Sequence, residues 1–127
     1  MFSHVMLGAN DIEASRTFYD AVLGALGIAP GRTDPKGRVI YMHPDGLFML
    51  TKPLDGEPAC HANGGTLGFK AATTEAADAW HAAGVAHGGT ACENPPGWRE
   101  GTFGPLYLAY LRDPAGNKIC ALHRKPA

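Results

Sequence analysis

The sequence predicts an α/β fold made of two modules that share one β-α-β-β-β order. Three observations carry this. Short apolar segments are cut by turn clusters such as Asp34-Pro35-Lys36-Gly37, Pro44-Asp45-Gly46 and Asp113-Pro114-Ala115-Gly116. Each half holds one stretch with helical apolar spacing. The order of segments then recurs about sixty residues further on, a repeat of architecture rather than of residue identity.

The elements follow in chain order. Residues 2–8 alternate and stop at Asn10 and Asp11, which predicts a strand. Asn10 and Glu13 have capping-box spacing, with Asn10 as the predicted N-cap. Ile12, Tyr19, Val22, Leu23 and Leu26 then form one helical face, and Gly24 and Gly27 stand where that helix frays and stops. Residues 28–33, 38–43 and 47–51 read as antiparallel strands. Residues 53–63 are polar, contain Pro and Gly, and read as the linker between modules 1–52 and 64–124 of one domain spanning 1–127. In the second module residues 66–70 read as a strand and 74–84 as a helix with Ala76, Ala77, Trp80 and Ala83 on one face. Residues 87–93 read as a weaker strand, 94–104 as a long loop, and 106–111 and 118–123 as the closing strands.

Composition bounds the function. The chain has 127 residues, enough for one domain that folds without disulfides. Hydrophobic residues make up 45% and charged residues 18%, a globular balance that argues against disorder. The net charge of −1 gives no electrostatic basis for binding nucleic acid or an anionic membrane. No apolar run has the length of a membrane span, and residues 1–10 lack the pattern of a secretory signal. Cys60, Cys92 and Cys120 are odd in number and widely spaced, so the expected setting is a reducing one, the cytoplasm.

Strand alternation assigns side chains to two faces. In the first strand Val5 and Leu7 are expected against the helix, leaving His4 and Met6 for a cavity. In the last strand Ile119 and Ala121 are expected outward, leaving Lys118, Cys120 and Leu122 inside.

Certain segments resemble the vicinal-oxygen-chelate superfamily, the family of glyoxalase I, the bleomycin-resistance proteins and the extradiol dioxygenases. They are Ser3-His4-Val5-Met6-Leu7, Asp11-Ile12-Glu13-Ala14-Ser15-Arg16-Thr17-Phe18-Tyr19-Asp20, Leu23-Gly24, Gly65-Thr66-Leu67-Gly68-Phe69 and Asp113-Pro114-Ala115-Gly116-Asn117-Lys118-Ile119. The resemblance runs nearly end to end. It implies an open, U-shaped half-barrel around a central cavity, with modules paired within a chain or between two chains, and hence a homodimer. It also implies four metal ligands, a His or Gln on the first strand and a Glu on the last strand of each half. The matching positions here are His4, Met49, Thr66 and Cys120, of which only His4 keeps a family ligand type. Two ligands, His4 and Cys120, fall short of the three that catalytic metals usually need. No cofactor is therefore expected; a divalent metal (zinc, nickel, manganese or iron) is the alternative.

The candidate catalytic residues are His4 and Cys120. His4 is a metal ligand, a base, or a cavity-wall histidine bonded to a neighbour. Cys120 needs a base or a positive charge nearby to act as a nucleophile, and Lys118 and His4 are the candidates. The candidate ligand-binding residues are Met6, Met49, Thr66, Tyr107, Trp98 and Arg99. Tyr107 and Tyr110 cannot share a face of a regular strand. Trp98 next to Arg99 suits a lid over an aromatic or anionic ligand, or a surface loop. Lys70, Arg99 and Lys118 read as scattered, which gives no support for glutathione as substrate.

Three functions are open on this reading. One is a small-molecule-binding protein or metal-independent enzyme acting in the cavity. The second is a metal-dependent glyoxalase-like lyase or a dioxygenase. The third is a resistance protein that sequesters a compound without transforming it.

Overall fold

A computed structural model describes residues 1–126. The first module runs β1 (His4–Gly8), α1 (Ile12–Ala25), β2 (Arg32–Thr33), β3 (Val39–His43) and β4 (Gly46–Thr51). The second runs β5 (Leu67–Lys70), α2 (Thr74–Ala86), β6 (Thr90–Ala91), β7 (Gly97–Gly101), β8 (Gly104–Arg112) and β9 (Lys118–Arg124). Each module builds one sheet, ordered β1-β4-β3-β2 and β5-β9-β8-β6, with β7 also paired to β8. In both, the first strand lies parallel to the last. The fold is thus mixed α+β, with two helices and two sheets that do not close on each other.

Three local expectations are corrected. The N-cap of α1 is Asp11, whose side chain accepts from the Ala14 N–H at 3.0 Å. Asn10 instead accepts from the Ala59 N–H at 2.7 Å and ties the linker to the end of β1. Residues 28–33 supply only a two-residue strand. Its predecessor Gly31 is held by α1: its N–H donates to Asp20 at 3.0 Å and its carbonyl accepts from Arg16 at 2.9 Å. With its backbone bonded to helix side chains, Gly31 stays out of the ladder, which begins only at Arg32. The loop expected over 94–104 contains β7, which forms a hairpin with β8 in the register Trp98 to Tyr107. Its Gly residues masked the strand, although Gly104 (φ 113) is what allows the hairpin turn.

The helix-facing sides of both sheets share one core. Phe18, Tyr19, Val22 and Leu23 of α1 and Ala77 and Trp80 of α2 pack with Val39, Tyr41, Phe48 and Leu50 from one sheet and Ala109, Leu111, Ile119 and Ala121 from the other. Phe48 and Phe69 meet edge to face across the modules, with centroids 5.3 Å apart.

The turn between β8 and β9 adds a polar tie. One Asp113 oxygen accepts from the Ala115 and Asn117 N–H groups, each at 2.9 Å. The other accepts from the Tyr19 hydroxyl at 2.6 Å and the Asn117 amide at 2.9 Å. The same amide donates to the Gly8 carbonyl at 3.0 Å. The Asp-Pro-x-Gly-Asn turn of the second module therefore grips both α1 and β1 of the first.

Tyr19→Phe leaves one buried carboxylate oxygen short of a donor. It is expected to lower unfolding free energy by about 1–3 kcal/mol in urea titrations. A change within error would mean that this bond does not join the modules.

Candidate functional site

Each sheet has a second face that no helix covers. On the first, alternation sends Val5, Leu7, Val39, Tyr41, Phe48 and Leu50 to the core. It leaves His4, Met6, Ile40, Met42, Leu47 and Met49 on the other side. The register pairs Met6 with Met49, Met49 with Ile40, and Leu47 with Met42. This surface is apolar and wet: Met6 is 38% exposed, Met42 64% and Leu47 36%. Thioether side chains on three strands make it adaptable in shape.

On the second sheet the same rule leaves Gly68 and Lys70 of β5, Leu108, Tyr110 and Arg112 of β8, and Lys118, Cys120 and Leu122 of β9 uncovered. Cys120 pairs with Tyr110 and with Gly68, where an added Cβ would meet the Cys120 sulfur at 3.2 Å. The missing side chain leaves room for the Cys120 sulfur, which is itself buried.

The predicted site residues divide. Met6 and Met49 adjoin on the first face, while Cys120 lies on the second. Thr66 stands just ahead of β5, exposed and outside the strand that was expected to hold it. Tyr107 is on the opposite side. It packs toward α2, and its hydroxyl donates to Asp78 at 2.6 Å, so it does not line an uncovered face. Tyr110 takes that place. Trp98 and Arg99 diverge because they are successive strand residues. Trp98 goes with Tyr107 (centroids 5.4 Å apart) and His123 (6.3 Å) on the helix side. Arg99 reaches the other face, donating to the carbonyls of Gly97 and Leu108 at 2.9 Å and Asn94 at 3.0 Å. It is a clamp on its own loop rather than part of a lid with Trp98.

The pairing of His4 with Cys120 does not form within the chain. They stand on different sheets, and His4 Nδ1 is hydrogen-bonded to Ser3 Oγ at 2.8 Å. His4 borders an open groove of about 600 Å³ between β1 and β5, together with Leu47, Gly68 and Lys70 but not Cys120. The groove floor is apolar: Leu23, Leu26, Ile28 and Phe48.

The electrostatics around Cys120 oppose a thiolate. Burial, reinforced by the Glu93 charge, pushes the thiol up to about 11 against a smaller opposing effect of Lys118. Lys118 is itself ion-paired with Glu93, which offsets the charge a thiolate would need. Its ammonium also lies 5.1 Å from the Tyr110 ring centroid, and the Arg99 guanidinium lies 5.9 Å from the same point. The scatter expected for Lys70, Arg99 and Lys118 is corrected in part: Arg99 and Lys118 meet at Tyr110, whereas Lys70 shares their sheet face on β5 and borders the groove.

The family's divalent metal can be tested against these donors. Met49 offers a thioether, Thr66 a neutral hydroxyl, and Cys120 a buried thiol that resists ionisation. None supplies the carboxylate a hard cation prefers. Among the described residues no three His, Cys, Asp or Glu side chains converge. The set does not fit the family's metal.

Comparison with known proteins places the chain. Residues 1–121 match the Glyoxalase/Bleomycin resistance protein/Dioxygenase superfamily, and the chain belongs to it. A solved glyoxalase/bleomycin resistance protein from Albidiferax ferrireducens is 62% identical, with a TM-score of 0.95 over 98% of this chain and 99% of that one. An integron cassette protein from the mobile metagenome of V. cholerae is 26% identical (TM-score 0.68, covering 98% and 95%). A lactoylglutathione lyase from Agrobacterium tumefaciens is 22% identical (TM-score 0.66, covering 97% and 92%), a likeness of fold alone. No curated protein matches the chain. No helix among the described residues is long and apolar enough to cross a membrane.

Tyr107 was the tyrosine expected at the cavity, and the structure puts Tyr110 on the uncovered face instead. Both faces of β8 are apolar, so alternation carries no sign there. The usable signal was the length of the 113–117 turn, which sets Tyr110 opposite Cys120.

With its thiol near 11, roughly one Cys120 in a thousand is ionised at pH 8. Alkylation by iodoacetamide, followed by peptide mass spectrometry, is expected to modify exposed Cys60 rapidly and Cys120 scarcely at all. Cys120 labelling should rise about tenfold per pH unit toward its pKa. Fast labelling at neutral pH would contradict this account of the thiol.

Proposed function

We propose that the chain is a metal-independent, small-molecule-binding member of its superfamily that works as a homodimer, with uncovered sheet faces of two copies enclosing the ligand. The observation that carries this is the apolar face of Met6, Met42 and Leu47 left open to water. Contiguous exposed apolar surface of this kind marks a place that something covers. A face of thioethers opposite one with a few polar groups has the make-up of a ligand cavity. The poor donor set at His4, Met49, Thr66 and Cys120 supports metal independence.

One observation favours sequestration over covalent catalysis. The Cys120 thiol is held protonated, and His4, the base expected for it, belongs to the other sheet of the chain. Binding without transformation needs neither group to react.

Two measurements test the proposal. Light scattering after size exclusion is expected to give a dimer, shifted toward monomer by Met42→Glu; a monomeric natural chain at micromolar concentration would overturn the paired-face arrangement. Mass-spectrometric metal analysis after incubation with zinc, nickel, manganese and iron(II) is expected to find far less than one metal per chain. Near-stoichiometric retention of any of them would sink metal independence.

A further inference from the structure

The chain has four tyrosines. Three give their hydroxyls to aspartates: Tyr19 to Asp113 at 2.6 Å, Tyr41 to Asp20 at 2.8 Å and Tyr107 to Asp78 at 2.6 Å. Among the described residues Tyr110 has no such partner, and it is the tyrosine on an uncovered face. Burial and nearby negative charge raise its pKa, so it remains a neutral phenol able to donate.

Apart from Glu93, the charge on its face is positive. Strand parity places Lys70, Arg99, Arg112, Lys118 and Arg124 on the same uncovered face. Of these, only Lys118 has a carboxylate within ion-pair distance among the described residues, and that is Glu93. Arg99 is satisfied by carbonyls alone, so its charge is not neutralised. For a chain of net charge −1, such an excess on one face is a local feature and not the average of the molecule.

Glu93 adds a second, independent sign. It is one of two non-glycine residues at positive φ, with φ 58. Left-handed backbone costs a non-glycine residue roughly 1–2 kcal/mol and collects at functional sites. Here the strained residue brings a carboxylate onto Lys118. The face already holds one carboxylate, supplied by the chain itself.

We infer that this face binds apolar compounds carrying an oxyanion, a carboxylate or sulfonate, with the anion taken by Lys118 and the Tyr110 hydroxyl, in the field of the Arg99 charge and in competition with Glu93. This rests on the ligand-binding reading above, in which the methionine face covers the apolar body. The cations set the sign of the charge, and Tyr110 supplies the directional donor.

The test uses two fluorescent probes of one ring skeleton, anilinonaphthalene sulfonate and neutral phenylnaphthylamine, titrated into the full-length protein. The natural chain is expected to bind the sulfonate about tenfold more tightly than the neutral probe. Lys118→Gln should remove most of that difference, whereas Lys36→Gln, which deletes a cation elsewhere, should not. Glu93→Gln removes the competing carboxylate and should tighten sulfonate binding several-fold while leaving the neutral probe unchanged, whereas a loosened fold would raise binding of both probes. Met42→Gln should weaken both probes alike. Equal binding of the two probes, or sulfonate binding indifferent to Lys118→Gln and Glu93→Gln, would overturn the inference while leaving the ligand-binding reading intact. Failure of both probes to bind would overturn both.

Discussion

The Asp113 carboxylate is where the two modules are joined by directed bonds, and much of the geometry depends on it. Apolar packing of α1, α2 and the two sheets supplies the driving force for association. Packing alone tolerates sliding. The bonds from Tyr19 and Asn117, and the further bond from Asn117 to Gly8, set β1 of one module against the start of β9 of the other. The acceptor is 4% exposed, so these donors replace water that the carboxylate has lost.

Once that frame is set, strand alternation distributes the chemistry. Each sheet turns one face to the shared core and leaves the other free. Neighbouring residues therefore belong to different environments: Trp98 stacks beside Tyr107 on the helix side, while Arg99 crosses to the face of Tyr110 and Cys120. The apolar face of the first sheet and the cationic face of the second are outcomes of the same rule applied to different residues.

The superfamily frame is retained while the ligand positions have changed character. Met49 now continues an apolar surface with Met6 and Ile40. Cys120 is enclosed between Gly68 and Tyr110, with Lys118 engaged by Glu93 rather than by the sulfur. Surroundings that hold a thiol protonated and gather cations are poor for a divalent metal and good for an anion. The fold is shared across the superfamily and does not by itself fix the chemistry of the site.

Much of the fold was legible in the chain itself. The two helices, the turn clusters and the repeated order follow from local rules, because apolar spacing and turn residues act over a few neighbours. The inward and outward assignment of His4, Met6, Val5 and Leu7 followed from alternation alone. The site was less legible. Asp34-Pro35-Lys36-Gly37 and Asp113-Pro114-Ala115-Gly116 make the same turn, each Asp accepting backbone N–H groups two and four residues on. Asp34 spends its second oxygen on Arg38 nearby, whereas Asp113 spends its own on Tyr19, 94 residues away. The same holds for β7, hidden among glycines until β8 lay beside it, and for the meeting of Arg99 and Lys118 at Tyr110. The sequence by itself determined the elements, the turns and the two-faced strands, since these depend on near neighbours. Only the tertiary structure decided which tyrosine and which cations share a surface, because that depends on pairing between distant strands, and local spacing carries no record of it.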